Sequence, residues 1–323
     1  MKKLSRLLPL LVVAGTITFT IFWYSRRADL DFEEFRAAVP HAAASRFANV
    51  AGVGRVHYQE RGTGKVIVLV HGNNSSAYSW KDVFDELAKE FRVVALDLKG
   101  FGFTAKPEGD YRVETQAALI MNLLDQLKIE RATLCGSSMG GAVALAAAIN
   151  YPQRVESLIL VGSSAFNVGS IGGASLAPAY VRWPYIGAAV TALALTSDSL
   201  VRDGLRKSFY DGSKVTDERI AAYYRPLRTR GGQRAARLVR DQRDYSSIEN
   251  ALNKIRQPML LIWGAQDRLN LLEDGRRLHS KIAHSHFVVY DNCGHLPQEE
   301  MPERFVGDVS GFVKKTGTPE RQE

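Results

Sequence analysis

Short apolar runs alternate with longer stretches of helical spacing along most of this chain. Residues 66–70 (VIVLV), 92–96 (RVVAL), 132–135 (ATLC), 158–161 (LILV) and 259–263 (MLLIW) are apolar at nearly every position. A strand wetted on one face alternates apolar and polar side chains, so these continuous runs predict strands buried on both faces. Residues 78–90, 113–127 and 139–150 between them predict helices, the first with Val83, Phe84, Leu87 and Ala88 on one side. Residues 55–59 (RVHYQ) read as an early antiparallel strand. Near the C-terminus, a helix around residues 273–282, a strand over 287–290 and a helix from Pro302 to Lys315 follow, Pro302 suiting a first helical turn. The alternation predicts an α/β fold: a mostly parallel sheet flanked by helices, with right-handed crossovers.

The alternation stops over residues 166–250, which hold no convincing strand and read as several helices. This predicts a helical cap inserted after the sixth strand. The expected organisation is an N-terminal membrane anchor or signal segment over 1–27, a linker or amphipathic helix over 28–45, a core over 46–165 and 251–316, a cap over 166–250, and a tail over 317–323.

Residues 7–25 (LLPLLVVAGTITFTIFWYS) carry no charge. As a helix they would span about 28 Å, close to the ~30 Å hydrocarbon core of a bilayer. Lys2, Lys3 and Arg6 precede the run; Phe22, Trp23 and Tyr24 close it, followed by Arg26 and Arg27. A cleaved signal usually has a shorter apolar region ending in small residues. The pattern favours an uncleaved signal-anchor, with secretion after cleavage as the alternative. The positive charge ahead of the run puts the N-terminus in the cytoplasm and the main domain outside it.

Charge and cysteine content narrow the classes. The net charge is +8, compatible with a basic soluble surface, an anionic membrane or an acidic substrate. No stretch interleaves aromatics with Lys and Arg, and no zinc-finger or helix-turn-helix signature occurs, so nucleic acid is not an expected partner. Two cysteines, Cys135 and Cys293, are too few for a disulfide scaffold and are expected as free, buried thiols. Oligomeric state is left open by the sequence.

The chemistry is concentrated in three places. Gly136-Ser137-Ser138-Met139-Gly140 fits G-x-S-x-G, follows the run ATLC and opens the helix MGGAVALAAAIN. That strand–turn–helix setting is what a nucleophile elbow requires. The glycine spacing selects Ser138 over Ser137. Gly136 and Gly140 leave room for the tight turn, and Gly141 lets the helix approach the sheet. Asp267 ends the segment Trp263-Gly264-Ala265-Gln266-Asp267 after a strand, where a carboxylate can orient an imidazole; capping the next turn is its plain alternative. His295 follows the last strand in Asn292-Cys293-Gly294-His295, on the sheet rim where open α/β folds place their sites. It is the expected general base and acid. Asp291 is nearer to it in sequence but suits a turn.

His71-Gly72-Asn73-Asn74 follows the run VIVLV. The backbone N–H of Asn73, with that of Met139 after the nucleophile, would form an oxyanion hole, each donor being worth on the order of 3 kcal/mol. His279, His284 and His286 lack a completing carboxylate or cysteine nearby and read as surface histidines, so no metal is expected. No cofactor is expected either. Gly64-Lys65 lacks the remainder of a phosphate-binding loop.

HGNNSSAYSW, DLKGFGFTAKP, GSSMGG, LLIWGAQD and NCGHLPQE occur in this order. Together they make residues 50–315 resemble the α/β-hydrolase superfamily. The resemblance implies a serine hydrolase with Ser138, Asp267 and His295 as its triad, in the chain order usual for that fold. Within it, the N-terminal run resembles membrane-anchored monoacylglycerol-lipase-like enzymes. Ser138 stands where dehalogenases and epoxide hydrolases carry Asp. Carbon–carbon hydrolases of meta-cleavage products are similar around GSSMGG and CGH, but usually have a glycine-rich segment where this chain has Asn73-Asn74-Ser75-Ser76. The segment 97–106 is assigned a structural role. The expected substrate is a small, lipid-like carboxylic ester; a dienone acid and a catalytically silent binding protein are the alternatives. Within the cap, apolar residues around Trp183 and Tyr185 are expected to pack on the core, to line an acyl pocket, or both. Arg225, Arg228, Arg230, Arg234, Arg237, Arg240 and Arg243 form a solvated basic face or one that meets anionic lipid.

Overall fold

The computed structural model describes residue 9 and residues 12–20, 29–167, 198–282 and 284–316. The sheet has eight strands: β1 Ser45–Val50, β2 Gly54–Arg61, β3 Val66–Val70, β4 Arg92–Leu96, β5 Ala132–Ser137, β6 Val155–Val161, β7 Met259–Gly264 and β8 Ser285–Tyr290. Their spatial order is β1-β2-β4-β3-β5-β6-β7-β8. β2 pairs antiparallel with β1 and β4, and all other pairings are parallel. The helices, in chain order, are α1 Phe32–Phe35, α2 Phe84–Ala88, α3 Val113–Gln126, α4 Met139–Asn150, α5 Asp198–Ser208, α6 Asp217–Leu227, α7 Arg230–Asp241, α8 Ser246–Glu249, α9 Leu272–Lys281, α10 Pro297–Glu300 and α11 Pro302–Lys315.

The continuous apolar runs are explained by burial on both faces. Successive side chains of a strand point to opposite sides. In β3, Val68 and Val70 enter one core cluster, while Ile67 and Leu69 enter the other. All four are fully buried, each contributing about 1.5–3 kcal/mol on leaving water. α4 is small-residue-rich for the same reason: ten of its twelve residues are buried, leaving no room for long side chains. β3 is flanked by β4 on one side and β5 on the other. The chain therefore leaves β3 and β5 in opposite directions, opening a crevice at their carboxyl ends.

Two sequence expectations are corrected. The helix expected over residues 78–90 is a 3-10 turn, Ala77–Trp80, followed by the short α2. Trp80 and Val83 are buried beside Phe84 and Leu87, so helical spacing reflects burial of a compact turn rather than one continuous helix. The segment expected as linker or amphipathic helix instead packs on the core and runs into β1. Phe32 is buried, with its ring 5.3 Å from both Phe47 and Phe103, and Asp31 caps α1 through the N–H groups of Glu33 and Glu34. β1 escaped the pattern because an edge strand with Arg46 and Asn49 lacks a clean period of two.

The expected transmembrane helix is not supported. Among the described residues no helix is long and apolar enough to cross a membrane. The described helical stretch covers residues 12–20. The rest of the apolar run lies outside the described residues, as do Trp183 and Tyr185. Cys135 and Cys293 are free and buried.

Candidate active site

Ser138 sits between β5 and α4 with φ 53° and ψ −118°, a strained conformation for a residue with a side chain. The turn is held by its N–H donating to Val161 O (2.9 Å) and its C=O accepting from the N–H groups of Gly141 and Ser164 (3.0 Å each). The flanking glycines answer to close approach: a Cβ on Gly136 would lie 2.3 Å from Gly140 O, and one on Gly140 2.1 Å from Val70 O. Ser138 is half-buried, and its hydroxyl makes no hydrogen bond among the described residues. It lies at the N-terminus of α4, where the helix dipole favours a developing negative charge.

His295 and Asp267 are buried, 28 residues apart in sequence, with Nδ1 of the imidazole 2.7 Å from Oδ2 of the carboxylate. An ionised carboxylate there fixes the Nδ1–H tautomer and leaves Nε2 as the free base. Oδ1 of Asp267 accepts from the N–H groups of Leu269 (2.8 Å) and Asn270 (3.0 Å). Gly162 joins this pair to the serine turn. A Cβ there would lie 3.1 Å from both Asp267 Oδ2 and His295 Nδ1, and its neighbour Val161 accepts the Ser138 N–H. Asn270, which the sequence did not single out, donates to Gly162 O (2.7 Å) and Ser164 Oγ (3.2 Å), tying the Asp267 loop to the Ser138 loop.

The loop 71–74 comes close to the serine: a Cβ on Gly72 would lie 3.1 Å from Ser138 Cβ. His71 pins that loop, its Nε2 accepting from Leu98 N–H (3.0 Å) and its Nδ1 lying 2.7 Å from Gly72 O. Burial lowers the pKa of His71, so it stays the neutral imidazole this pattern needs. The Asn73 N–H donates to no acceptor among the described residues. The Met139 N–H opens α4, where the first four donors have no partner within the helix. Asn73 Oδ1 and Asn74 Oδ1 are buried without hydrogen-bond partners among the described residues.

A hydrogen-bonded Ser–His–Asp chain lies elsewhere. His57 Nδ1 is 2.8 Å from Asp97 Oδ2, and its Nε2 is 3.0 Å from Ser45 Oγ. Nothing in the motifs marked His57 or Ser45. Here the N–H groups of Ala77 (2.7 Å) and Phe103 (2.9 Å) serve Asp97, and Ser45 Oγ also accepts from Gln59 Nε2 (3.4 Å). The His57 ring is packed among Phe32, Phe47 and Phe103 at 5.2–5.5 Å. Burial would raise the Asp97 pKa, but His57 and the N–H donors hold it below the ordinary value. This chain braces the 97–106 loop, in keeping with the structural role expected for it.

Arg219 of α6 reaches Asp82 (3.2 Å) and Glu299 of α10 (2.9 Å). The Nε–H does not point along the latter line, so that contact is a close approach and not a directed hydrogen bond. Tyr223 donates to Glu299 Oε1 (2.5 Å). His284 and His286 are exposed, and His279 bonds Ser285 Oγ (2.8 Å). No metal-ligand cluster occurs among the described residues.

The sequence profile of the alpha/beta hydrolase fold matches residues 65–302. The 2-hydroxy-6-oxo-2,4-heptadienoate hydrolase of Pseudomonas putida is 32% identical over 274 residues, covering 82% of this chain and 94% of the relative. Among solved structures, the meta-cleavage product hydrolase of Pseudomonas fluorescens IP01 is 28% identical with a TM-score of 0.72, over 84% of this chain and 97% of that one. The thermophilic esterase of Thermogutta terrifontis is also 28% identical, with a TM-score of 0.65 over 85% and 99% of the two chains. With that profile spanning most of its length and an eight-stranded sheet of matching architecture, the chain belongs to the α/β-hydrolase family.

Proposed function

We propose that this hydrolase cleaves a hydrophobic carboxylic ester through an acyl-enzyme formed on Ser138. The carrying observation is the buried His295–Asp267 bond, joined through Gly162 to the strained Ser138 turn. Ser138 Oγ attacks the ester carbonyl while His295 Nε2 takes its proton. The tetrahedral oxyanion is held by the N–H groups of Asn73 and Met139. His295 returns the proton to the departing alcohol, then activates water to release the acid. Asp267 keeps the imidazole in the required tautomer throughout. No metal or cofactor enters these steps. Trp183 and Tyr185 are proposed as acyl-pocket residues from their apolar setting in the sequence.

The ester reading is favoured over the carbon–carbon reading by the partners of Arg219. A dienone acid brings a carboxylate that a buried site must neutralise. Arg219, buried on α6, is engaged by Asp82 and Glu299 and so is not free to take it. The second reading is favoured by the relatives named for dienoate and meta-cleavage-product hydrolysis. Turnover of p-nitrophenyl esters of graded chain length, monoacylglycerols and a dienone acid, with Ser138→Ala as blank, separates the two. Ester turnover without dienone cleavage supports the first, the reverse pattern supports the second, and inactivity on all substrates favours a binding protein.

We also propose that residues 1–27 tether the protein to a membrane with the catalytic domain outside the cytoplasm. The uncharged run, its basic leader and its aromatic end support this reading. N-terminal sequencing of the membrane fraction tests it, a start beyond residue 25 indicating cleavage and secretion instead.

A further inference from the structure

Glu300 lies at the end of α10, five residues after His295, and its carboxylate is directed at two backbones at once. Oε1 accepts from the Gly294 N–H (2.7 Å). Oε2 accepts from the N–H groups of Tyr210 (2.7 Å) and Asp211 (3.3 Å), just beyond α5. The two backbones are also joined directly: His295 N–H donates to Ser208 O at 2.7 Å. They meet so closely that a Cβ on Gly294 would lie 2.5 Å from Ser208 O and 2.8 Å from Tyr210 N. Burial pushes the Glu300 carboxyl up and these N–H groups pull it part of the way back down; with the Cys293 thiol also directed at Oε1 (3.9 Å), both oxygens act as acceptors, the pattern of a carboxylate. Such a carboxylate, buried with its hydrogen bonds satisfied, fixes geometry more tightly than a neutral acceptor.

We propose that Glu300 is a positioning residue for His295, clamping the Gly294–His295 backbone to the segment 208–211 so that Nε2 stays aligned on Ser138. The inference rests on the serine-hydrolase reading above. Its chemistry adds no bond-making step: Glu300 touches neither substrate nor the reacting atoms. It acts on the backbone of the residue that moves the proton, while Asp267 acts on the side chain. One residue thereby ties the position of the catalytic imidazole to the placement of α5.

The test compares the full chain with Glu300→Gln and with Ser138→Ala on the best ester found in the screen. It also follows inactivation by diethyl p-nitrophenyl phosphate, whose reaction depends on His295-assisted attack by Ser138. Glutamine offers one acceptor oxygen and presents an NH₂ group to the other backbone N–H donors, so it cannot hold both ends. Misalignment of this kind is worth about tenfold to hundredfold in rate. The expected result is a kcat lowered by about that factor, a phosphorylation rate lowered in step, and KM within about threefold of the parent. A thermal midpoint that falls while kcat and the phosphorylation rate are unchanged would make Glu300 structural only and overturn the proposal. A change confined to KM would overturn it equally. Should Glu300→Gln fail to fold, Glu300→Asp is read by the same criteria, since its carboxylate is withdrawn by one methylene and cannot reach both backbones. Near-parental activity of Ser138→Ala would instead strike down the serine reading itself, a result independent of Glu300.

Discussion

Asp267 Oδ2 approaches His295 Nδ1 at 2.7 Å, while Asp267 Oδ1 is held by two backbone N–H groups. The carboxylate therefore cannot rotate away without losing both donors. Asp267→Asn should preserve the fold and place an amide against Nδ1, reversing the tautomer and leaving Nε2 protonated. The expected loss is about 10⁴-fold in kcat with KM little altered, the order of loss that follows when a triad imidazole is held in the wrong tautomer. Steady-state kinetics on a chromogenic ester measure it; a loss under about tenfold would mean that Asp267 does not orient the base.

The proposed Ser138–His295–Asp267 triad and the Ser45–His57–Asp97 chain provide an internal contrast. Ser138 occupies the strained turn at the start of α4, with Gly72 of the 71–74 loop close to it. Ser45 lies in an edge strand beside a histidine enclosed by three phenylalanine rings. Ser138→Ala should lower turnover by about five to six orders of magnitude without unfolding the protein. Ser45→Ala should leave kcat within about twofold, since it removes only the hydrogen bonds of Ser45 Oγ with His57 and Gln59, each worth about 1 kcal/mol of stability. Inactivation by Ser45→Ala with a normal thermal midpoint would transfer the chemistry to the second chain.

Gly162 is the contact between the acid–base pair and the serine turn. Its φ is 48°, and a Cβ would come within 3.1 Å of Asp267 Oδ2, of His295 Nδ1, and within 3.2 Å of His295 O. Gly162→Ala must displace the pair or the loop, and the left-handed conformation adds about 1–2 kcal/mol of strain. The expected outcome is a loss of kcat exceeding about tenfold with a modest fall in thermal midpoint, read by kinetics and calorimetry together. Unchanged kcat would show that the pair can shift without consequence.

Much of this site is legible in the sequence because its signals are local. The helix over residues 139–150 begins at a G-x-S-x-G turn and is apolar throughout, so its bounds match α4. Pro302 fixes the start of α11 in the same way. Ser138, Asp267 and His295 each follow a recognisable strand. Asn270 and Glu300 were not legible: their partners are 108 and 90 residues away, and a polar residue in a helix or loop carries no mark of a distant backbone contact. β1 was hidden because its pairing with β2, not its own periodicity, makes it a strand. The Ser45–His57–Asp97 chain was hidden for the same reason, being assembled across β1, β2 and the loop after β4.

The basic residues run from the corner between α6 and α7 to the far end of α7. Arg225, Arg230 and Arg243 are exposed, whereas Arg234 pairs with Glu108 (3.5 Å) and Arg240 with Asp241 (2.9 Å). Asp29, just beyond the N-terminal segment, accepts from Gly231 N–H at 3.0 Å, and Arg225 lies 5.6 Å over the Phe35 ring. The chain therefore leaves the proposed tether beside this corner. Binding of the full chain to vesicles containing an anionic phospholipid should weaken as salt is raised, each exposed arginine near the surface contributing about 1 kcal/mol at low ionic strength. Binding to neutral vesicles should not respond to salt. Equal salt responses on the two vesicle types would remove the anionic surface as a partner.

Glu299 connects stability to pH. Burial pushes its carboxyl up to about 7, against the lowering pull of Arg219 and of the Tyr223 hydroxyl. The folded chain then retains this proton above the ordinary value of 4.5 at which the unfolded chain releases it. Between those values the folded state binds more protons, so this group's contribution to stability is fully present below pH 4.5 and is lost as pH rises towards 7. The full effect is about 3 kcal/mol, an order-of-magnitude figure. Glu299→Gln keeps an acceptor for Tyr223 and cannot titrate, while Asp82 still faces Arg219. Thermal midpoints measured from about pH 5 to about pH 8 should show the variant gaining on the parent as pH rises. A difference between the two that is constant across this range would show that Glu299 does not change protonation there.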